Sequence, residues 1–338
     1  MSRFLFHGHT ALERSLIDHT TPHTLFCESL ESIRNGMDAI VKHTSRLPVV
    51  GTDGRMEGML TATTLLEYLG AGTRFVEYQR HPQKLDVPIQ HVMTTQIAAL
   101  RSQSSLGDAL VGLWKTGQHA LPVVQDGKLL TMASFPHLLG ALPVPGIPVA
   151  AAMSANPLHV SPDLSLIDAA LLFVNTGYHR FPIVQKDVHI GMITPRDILR
   201  FVREQELYHL PEASVRDAMN RKIISFSPHE NLRLAAHQMR SNHLDGVAVT
   251  DEAALQGILT TTDIAEAVLQ SVDHPVVERI WTREHGRYAP PLRERPWPDP
   301  QREWDEGYTA QKHRYRLDHP QQRARRRGRY SRPKPRAH

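Results

Sequence analysis

One cysteine, Cys27, serves a chain of 338 residues, which excludes an intramolecular disulfide framework and any multi-cysteine zinc or iron–sulfur centre. That scarcity fits a reducing, cytoplasmic setting. Long apolar runs are missing as well. The N-terminal Met1-Ser2-Arg3-Phe4-Leu5-Phe6-His7 has an early arginine but no apolar stretch of signal-peptide length. The most apolar window, Leu138 to Met153, is broken by Pro143, Pro145 and Pro148, so it cannot form a regular membrane-spanning helix and reads as a packed, semi-rigid linker. No Gly-x-Ser-x-Gly, Gly-x-x-x-x-Gly-Lys-Ser, Gly-x-Gly-x-x-Gly or His-Glu-x-x-His pattern occurs, and no enzyme is expected. His19, His23 and Cys27 recur every four residues, but Pro22 interrupts the helix that would align them and no fourth ligand is apparent. No metal is expected there.

What is present becomes informative once the charge is divided. The chain holds 39 Lys+Arg and 35 Asp+Glu, a net charge of +4. Residues 281–338 alone hold 16 and 7 of these, or +9, which leaves −5 for residues 1–280. An acidic body carries a basic tail.

The body is a fourfold repeat, and repeats decide architecture before any local feature. Arg46-Leu47-Pro48-Val49-Val50 precedes Gly58-Met59-Leu60-Thr61. Ala120-Leu121-Pro122-Val123-Val124 precedes Leu130-Thr131-Met132-Ala133-Ser134. His179-Arg180-Phe181-Pro182-Ile183-Val184 precedes Gly191-Met192-Ile193-Thr194-Pro195-Arg196-Asp197. Gly246-Val247-Ala248-Val249 precedes Gly257-Ile258-Leu259-Thr260-Thr261-Thr262-Asp263. Pro122 to Ser134, Pro182 to Thr194 and Ala248 to Thr260 are each 12 residues apart, and Pro48 to Thr61 is 13. Ser105, Ser165 and Asn231 each lie 17 residues before Pro122, Pro182 and Ala248. Each unit reads as strand, helix, strand, strand, helix. In the third, Ser165 with Asp168 makes a capping box, Gly177 ends the helix, and a turn at Gln185-Lys186-Asp187 joins two short strands. Thr194 then caps a closing helix with Pro195 in its first position and Asp197 placed to bond back to the cap.

These units resemble cystathionine β-synthase (CBS) domains, which carry a Leu-Pro-Val-Val strand followed by Gly-x-x-Thr-x-x-Asp, and the whole chain resembles archaeal proteins with four CBS repeats. The resemblance implies an α+β fold (α/β CBS repeats): two Bateman modules of paired β-α-β-β-α repeats, about 15–142 and 147–272, plus an extended basic tail. In finer division, residues 1–19 lead in and repeats span 20–70, 87–142 (degenerate), 149–204 and 214–270. Residues 143–148 link the modules, and 281–338 form the tail.

The resemblance also implies a ligand site for AMP, ADP, ATP or S-adenosylmethionine. A carboxylate would accept hydrogen bonds from both ribose hydroxyls, and cations with a helix N-terminus would hold phosphate. In the third repeat the matching residues are Asp197 and Thr194 for the ribose, with His179, Arg180 and Arg196 for the phosphate. The plainer alternative is that Asp197 only caps its helix and Arg180 makes a surface ion pair. The fourth repeat keeps Thr260, Thr262 and Asp263, but Leu244-Asp245-Gly246 stands where the cations would be. Arg46 is kept in the first repeat, but Thr64 replaces the aspartate there, and Pro136-His137 alters the same corner in the second. Little or no binding is therefore expected from the first module.

The tail holds Trp281, Trp297 and Trp304 with Tyr288, Tyr308, Tyr315 and Tyr330, has two leucines and no valine, and cannot build a core. Arginine forks grip phosphates and aromatic rings stack on unpaired bases. The RNA-binding candidates are Trp297, Trp304, Tyr315, Arg323, Arg325, Arg326, Arg327, Arg329, Tyr330, Arg332, Lys334 and Arg336. The resemblance to ribosome-associated, translation-silencing CBS proteins points to ribosomal RNA as partner. The alternatives are a nucleotide sensor that docks on an enzyme or transporter, with the tail solubilising it, or a DNA-binding regulator. A membrane partner would need an apolar helix face that the tail lacks. The modules also leave room for a homodimer.

Overall fold

The computed structural model describes residues 11–20, 24–70, 82–116, 118–204 and 212–272. The whole basic tail, with every RNA-binding candidate, lies outside these. Four units follow one another. The first holds β1 (Cys27–Glu28), α1 (Ile33–Lys42), β2 (Arg46–Val50), β3 (Met56–Thr61) and α2 (Ala62–Tyr68). The second holds β4 (Leu100–Arg101), α3 (Leu106–Thr116), β5 (Ala120–Gln125), β6 (Lys128–Ser134) and the single-turn α4 (Phe135–Leu138). The third holds β7 (Ser154–Ala155), α5 (Leu166–Thr176), β8 (Phe181–Gln185), β9 (Val188–Ile193) and α6 (Pro195–Glu204). A short α7 (Val215–Ala218) leads to β10 (Ser225–Phe226), α8 (Leu232–Ser241), β11 (Gly246–Asp251), β12 (Ala254–Thr260) and α9 (Thr261–Ser271).

Local chemistry sets the boundaries. Ser32, Ser165 and Asn231 accept a backbone N–H in the first turns of α1, α5 and α8, satisfying donors that the helix leaves unpaired. Gly177 closes α5 in the left-handed region, φ 68°, a backbone conformation that strains any residue with a side chain. Lys186 and Asp187, Glu252 and Ala253, and Asp126 and Gly127 all have positive φ, the two-residue turn whose twist matches a hairpin. The first unit instead loops through Gly51–Arg55 before Met56, which accounts for its one-residue-longer offset.

All four hairpins shift register at one equivalent place, between Val49 and Val50, Val123 and Val124, Ile183 and Val184, and Val249 and Thr250. Such a bulge bends the strand and adds twist. Beside it lies the motif glycine. Gly58, Gly191 and Gly257 sit where the lead-in segment of the neighbouring unit crosses: Met59 pairs with Thr94, Met192 with Asn220, and β12 with β7. A Cβ on Gly191 would stand 2.6 Å from the Asn220 carbonyl oxygen. Close backbone approach is what requires glycine here. The second unit has Thr131 at this register position, opposite Val123, and its hydroxyl bonds the Thr24 hydroxyl at 3.2 Å instead.

Sheets therefore join neighbours in sequence. The third and fourth units share a six-stranded sheet through β9–β12, and the first and second touch at their hairpin tips, Arg55 against Lys128. Helices join the units differently. One apolar core combines the first and third units, with Ile40, Leu47, Leu65, Leu66, Phe173 and Phe181 fully buried. The other combines the second and fourth, around Leu110, Phe135, Leu232 and Val268. The proline-rich segment packs into this second core through Leu142, Val144 and Val149. Sheet contacts run one way and helix contacts the other, closing a ring of four. Among the described residues no helix is long and apolar enough to cross a membrane.

Candidate functional site

Each unit caps its closing helix with the residue that ends or directly follows its last strand, so the cap and the residue three positions later meet. In the third unit Thr194 N and Oγ1 donate to Asp197 Oδ2 at 2.9 and 2.6 Å, and Arg200 donates to Asp197 Oδ1 at 3.1 Å. Asp197 is buried. In the fourth unit Thr260 N and Oγ1 both donate to Asp263 Oδ2 at 2.6 Å, while Ser154 Oγ donates to Oδ1 at 3.0 Å. Burial raises the Asp263 carboxyl above its ordinary value, and the hydrogen bonds from Thr260 and Ser154 oppose this. Thr262, in the first turn of α9, is half-buried.

The other two units keep the geometry without the carboxylate. Thr61 N donates to Thr64 Oγ1 at 2.8 Å, and Ser134 Oγ lies 2.9 Å from His137 Nδ1. A threonine or imidazole offers one acceptor where a carboxylate offers two charged oxygens.

At this same end of each hairpin, the residues at or just before the start of β2, β5, β8 and β11 converge where all four units meet. Arg46 Nη2 donates to His179 Nε2 at 3.0 Å, joining the first unit to the third. The His119 and His179 rings stand edge to face, centroids 4.9 Å apart, joining the second to the third. His119 Nδ1 lies 3.2 Å from Thr261 Oγ1, joining the second to the fourth. Arg180 Nη2 pairs with Asp245 Oδ1 at 2.8 Å and Nη1 donates to the Gly246 carbonyl at 3.0 Å, joining the third to the fourth.

Burial sets the protonation of this centre. His119 is pushed down to about 3, first by desolvation and then by the Arg180 charge. His179 is pushed down to about 4, by desolvation and then by Arg46 and Arg180. Both rings are neutral at pH 7, and because arginine can only donate, His179 Nε2 is an acceptor. Asp245 is also desolvated, yet the charge and hydrogen bond of Arg180 hold its carboxyl well below the usual range.

Of the third-unit candidates, the structure brings Thr194 and Asp197 together and gathers His179 with Arg180. Arg196 is turned elsewhere: its Nε and Nη2 donate to the Val41 carbonyl at 3.2 and 3.0 Å, tying α6 to the C-terminal end of α1. Asp245, His119 and Thr261 were not read as site residues from sequence, and Arg46 was read only as the cation kept by a unit not expected to bind. The signal for three of them was register: Arg46 aligns with Arg180, and His119 and Asp245 align with His179. Thr261 carried no comparable signal. A groove of about 750 Å³ lies apart from this site, between the proline-rich segment and α8, with Arg233, His237 and Arg240 on its wall.

Comparison with known proteins agrees with this architecture. The CBS domain family model matches residues 18–71, 149–204 and 215–270. Protein MJ1225 of Methanocaldococcus jannaschii is 21% identical over 65% of this chain and 85% of its own length. Its crystal structure superposes with a TM-score of 0.67 at 18% identity, covering 75% of this chain and 99% of that one. A 33.4 kDa protein encoded in a ribosomal RNA operon of Thermofilum pendens is 24% identical over 64% of this chain and 78% of its own. The fold and these matches identify residues 18–71, 149–204 and 215–270, three of the four units, as CBS domains.

Proposed function

We propose that the chain is a non-catalytic regulator that senses an adenosine ligand (AMP, ADP, ATP or S-adenosylmethionine) at the third and fourth units. The observation that carries this reading is the Thr194–Asp197 pair, a buried carboxylate fixed by a backbone and a hydroxyl donor at one end of the hairpin whose other strand opens with His179 and Arg180. Asp197 would take the ribose hydroxyls and Arg180 the phosphate, with Thr260 and Asp263 repeating the ribose contact. The first and second units, with Thr64 and His137 at that position, would serve as scaffold. A ligand that binds only the native state stabilises it by about 2.7 kcal/mol at a hundredfold excess over Kd. AMP, ADP, ATP or S-adenosylmethionine should raise the melting temperature of the full chain, and Asp197→Ala should remove most of that rise. If calorimetric titration shows no heat and no affinity with any of the four, the reading is wrong.

The output of the sensor is proposed to be RNA binding through residues 281–338, with the body directing the tail to a ribosomal particle. The +9 charge of the tail against the −5 of the body supports this, as does the operon context of the Thermofilum pendens relative. Co-sedimentation with ribosomal subunits at near-physiological salt should be lost on truncation at Trp281 and weakened by joint alanine substitution of Trp297, Trp304 and Tyr315. Equal competition by generic polyanions would favour instead a sensor that docks on an enzyme or transporter.

A further inference from the structure

Arg180 belongs to the third unit by sequence but spends its hydrogen bonds on the fourth. Its guanidinium bonds both Asp245 and the Gly246 carbonyl, and its side chain is only 12% exposed. Gly246 aligns with Arg46 and Arg180 themselves, so the fourth unit has no side chain of its own at that position. The space is taken. A Cβ on Gly246 would fall 2.7 Å from Arg180 Nε, which means the borrowed arginine fills the volume the missing side chain leaves. Gly246 also pairs in register with Thr260, the cap that fixes Asp263. The third unit's cation is therefore held beside the fourth unit's cap residue, Thr260.

What holds it there is a carboxylate at a position where two other units have histidine. The centre contains two permanent cations, Arg46 and Arg180, two neutral imidazoles and one anion, Asp245. Resting on the adenosine reading above, we infer that Asp245 is an internal counter-ion that occupies Arg180 and competes with an incoming phosphate group, so that it sets the preference between phosphorylated and unphosphorylated adenosine ligands. A phosphate would reach Arg180 only by displacing a carboxylate that is already bonded at 2.8 Å and covalently part of the site. Adenosine, lacking the phosphate, has no such competition to overcome. The wild-type centre is thus biased toward neutral ligands relative to what its two arginines alone would give, and Arg180 passes between an internal and an external anion.

The test uses the full chain, with adenosine, AMP and inorganic phosphate as probes. Asp245→Asn keeps the shape and removes the charge. It should tighten AMP by about tenfold or more, the low end of what close charge pairs contribute, and leave adenosine unchanged. Inorganic phosphate should raise the melting temperature of the variant more than that of the wild type. Asp245→Ser also removes the charge, should shift the AMP-to-adenosine ratio in the same direction, and decides the matter if Asp245→Asn does not fold; Arg180→Gln should weaken AMP about tenfold against adenosine. An AMP-to-adenosine ratio and phosphate response identical in wild type and Asp245→Asn overturn the inference, even where both AMP and adenosine bind. If neither AMP nor adenosine binds but phosphate still stabilises Asp245→Asn selectively, the counter-ion stands and the adenosine reading falls.

Discussion

Acid should unfold this protein through the two histidines at the meeting point of its four units. In an unfolded chain each imidazole takes a proton near pH 6.5, whereas in the fold His179 holds out to about 4 and His119 to about 3. Burial is the first cause, and the groups facing them add to it: Arg46 bonds His179, Arg180 lies beside both, and Asp245 is the anion opposing these cations. Above the unfolded value both states are neutral and stability is untouched. Below it the unfolded chain binds protons that the folded chain refuses, so stability falls with falling pH until the folded values are reached. By about pH 5 each histidine costs about 2 kcal/mol, or about 4 together if they act independently. That is a large part of the 5–15 kcal/mol typical of a folded domain. Urea unfolding followed by circular dichroism, in buffers free of phosphate, measures the effect directly. The comparison is His179→Gln, whose amide oxygen still accepts from Arg46. Between about pH 7.5 and about pH 5 the wild type should lose about 2 kcal/mol more than the variant. Equal losses would mean that the folded His179 titrates like a free imidazole, and the reasoning about the centre would be refuted.

Other perturbations test the architecture. Phe181→Ala removes a fully buried ring whose centroid lies 4.6 Å from that of Phe173, and should cost about 3–5 kcal/mol in urea denaturation. Gly191→Ala puts a methyl against the Asn220 carbonyl and should lower the melting temperature, while Gly177→Ala should do so through backbone strain alone. Thr260→Ala deletes the cap of α9 and leaves Asp263 with Ser154 as its remaining side-chain donor; a loss of about 1 kcal/mol is expected, and a neutral result would remove the cap from the account.

The hairpins, caps and turns were legible because they are local. Thr194, Pro195 and Asp197 announce a helix start within four residues, and the strands Phe181–Gln185 and Val188–Ile193 follow from the β-rich runs on either side of the Gln185-Lys186-Asp187 turn. Which units share a core was not legible. An apolar helix face such as Ile33, Met37 and Ile40 states that it will be covered but not by what. The same limit hid the Arg180–Asp245 pair. Asp245 reads as a cation lost from its own repeat, and only the ring geometry turns that loss into a partner for a residue 65 positions earlier. Arg196 shows the converse, a charge with the right neighbours in sequence whose bond to Val41 depends on another unit entirely.

The crossing of sheet and helix contacts has a consequence for how the chain is made. Ile33–Lys42 and Ala62–Tyr68 pack on Pro195–Glu204, and Leu106–Thr116 packs on Thr261–Ser271, so neither apolar core can close until the second half exists. Contacts this distant in sequence are slow to form, because a long loop must be closed before any burial rewards it. During synthesis the first two units emerge with their helical faces uncovered and must wait, at about 5–20 residues per second, for well over a hundred more residues. The nascent first half is therefore a substrate for chaperones, or for its own counterpart on a neighbouring nascent chain, and a synonymous change that slows translation after the proline-rich segment would lengthen that exposure without altering a single residue of the finished ring.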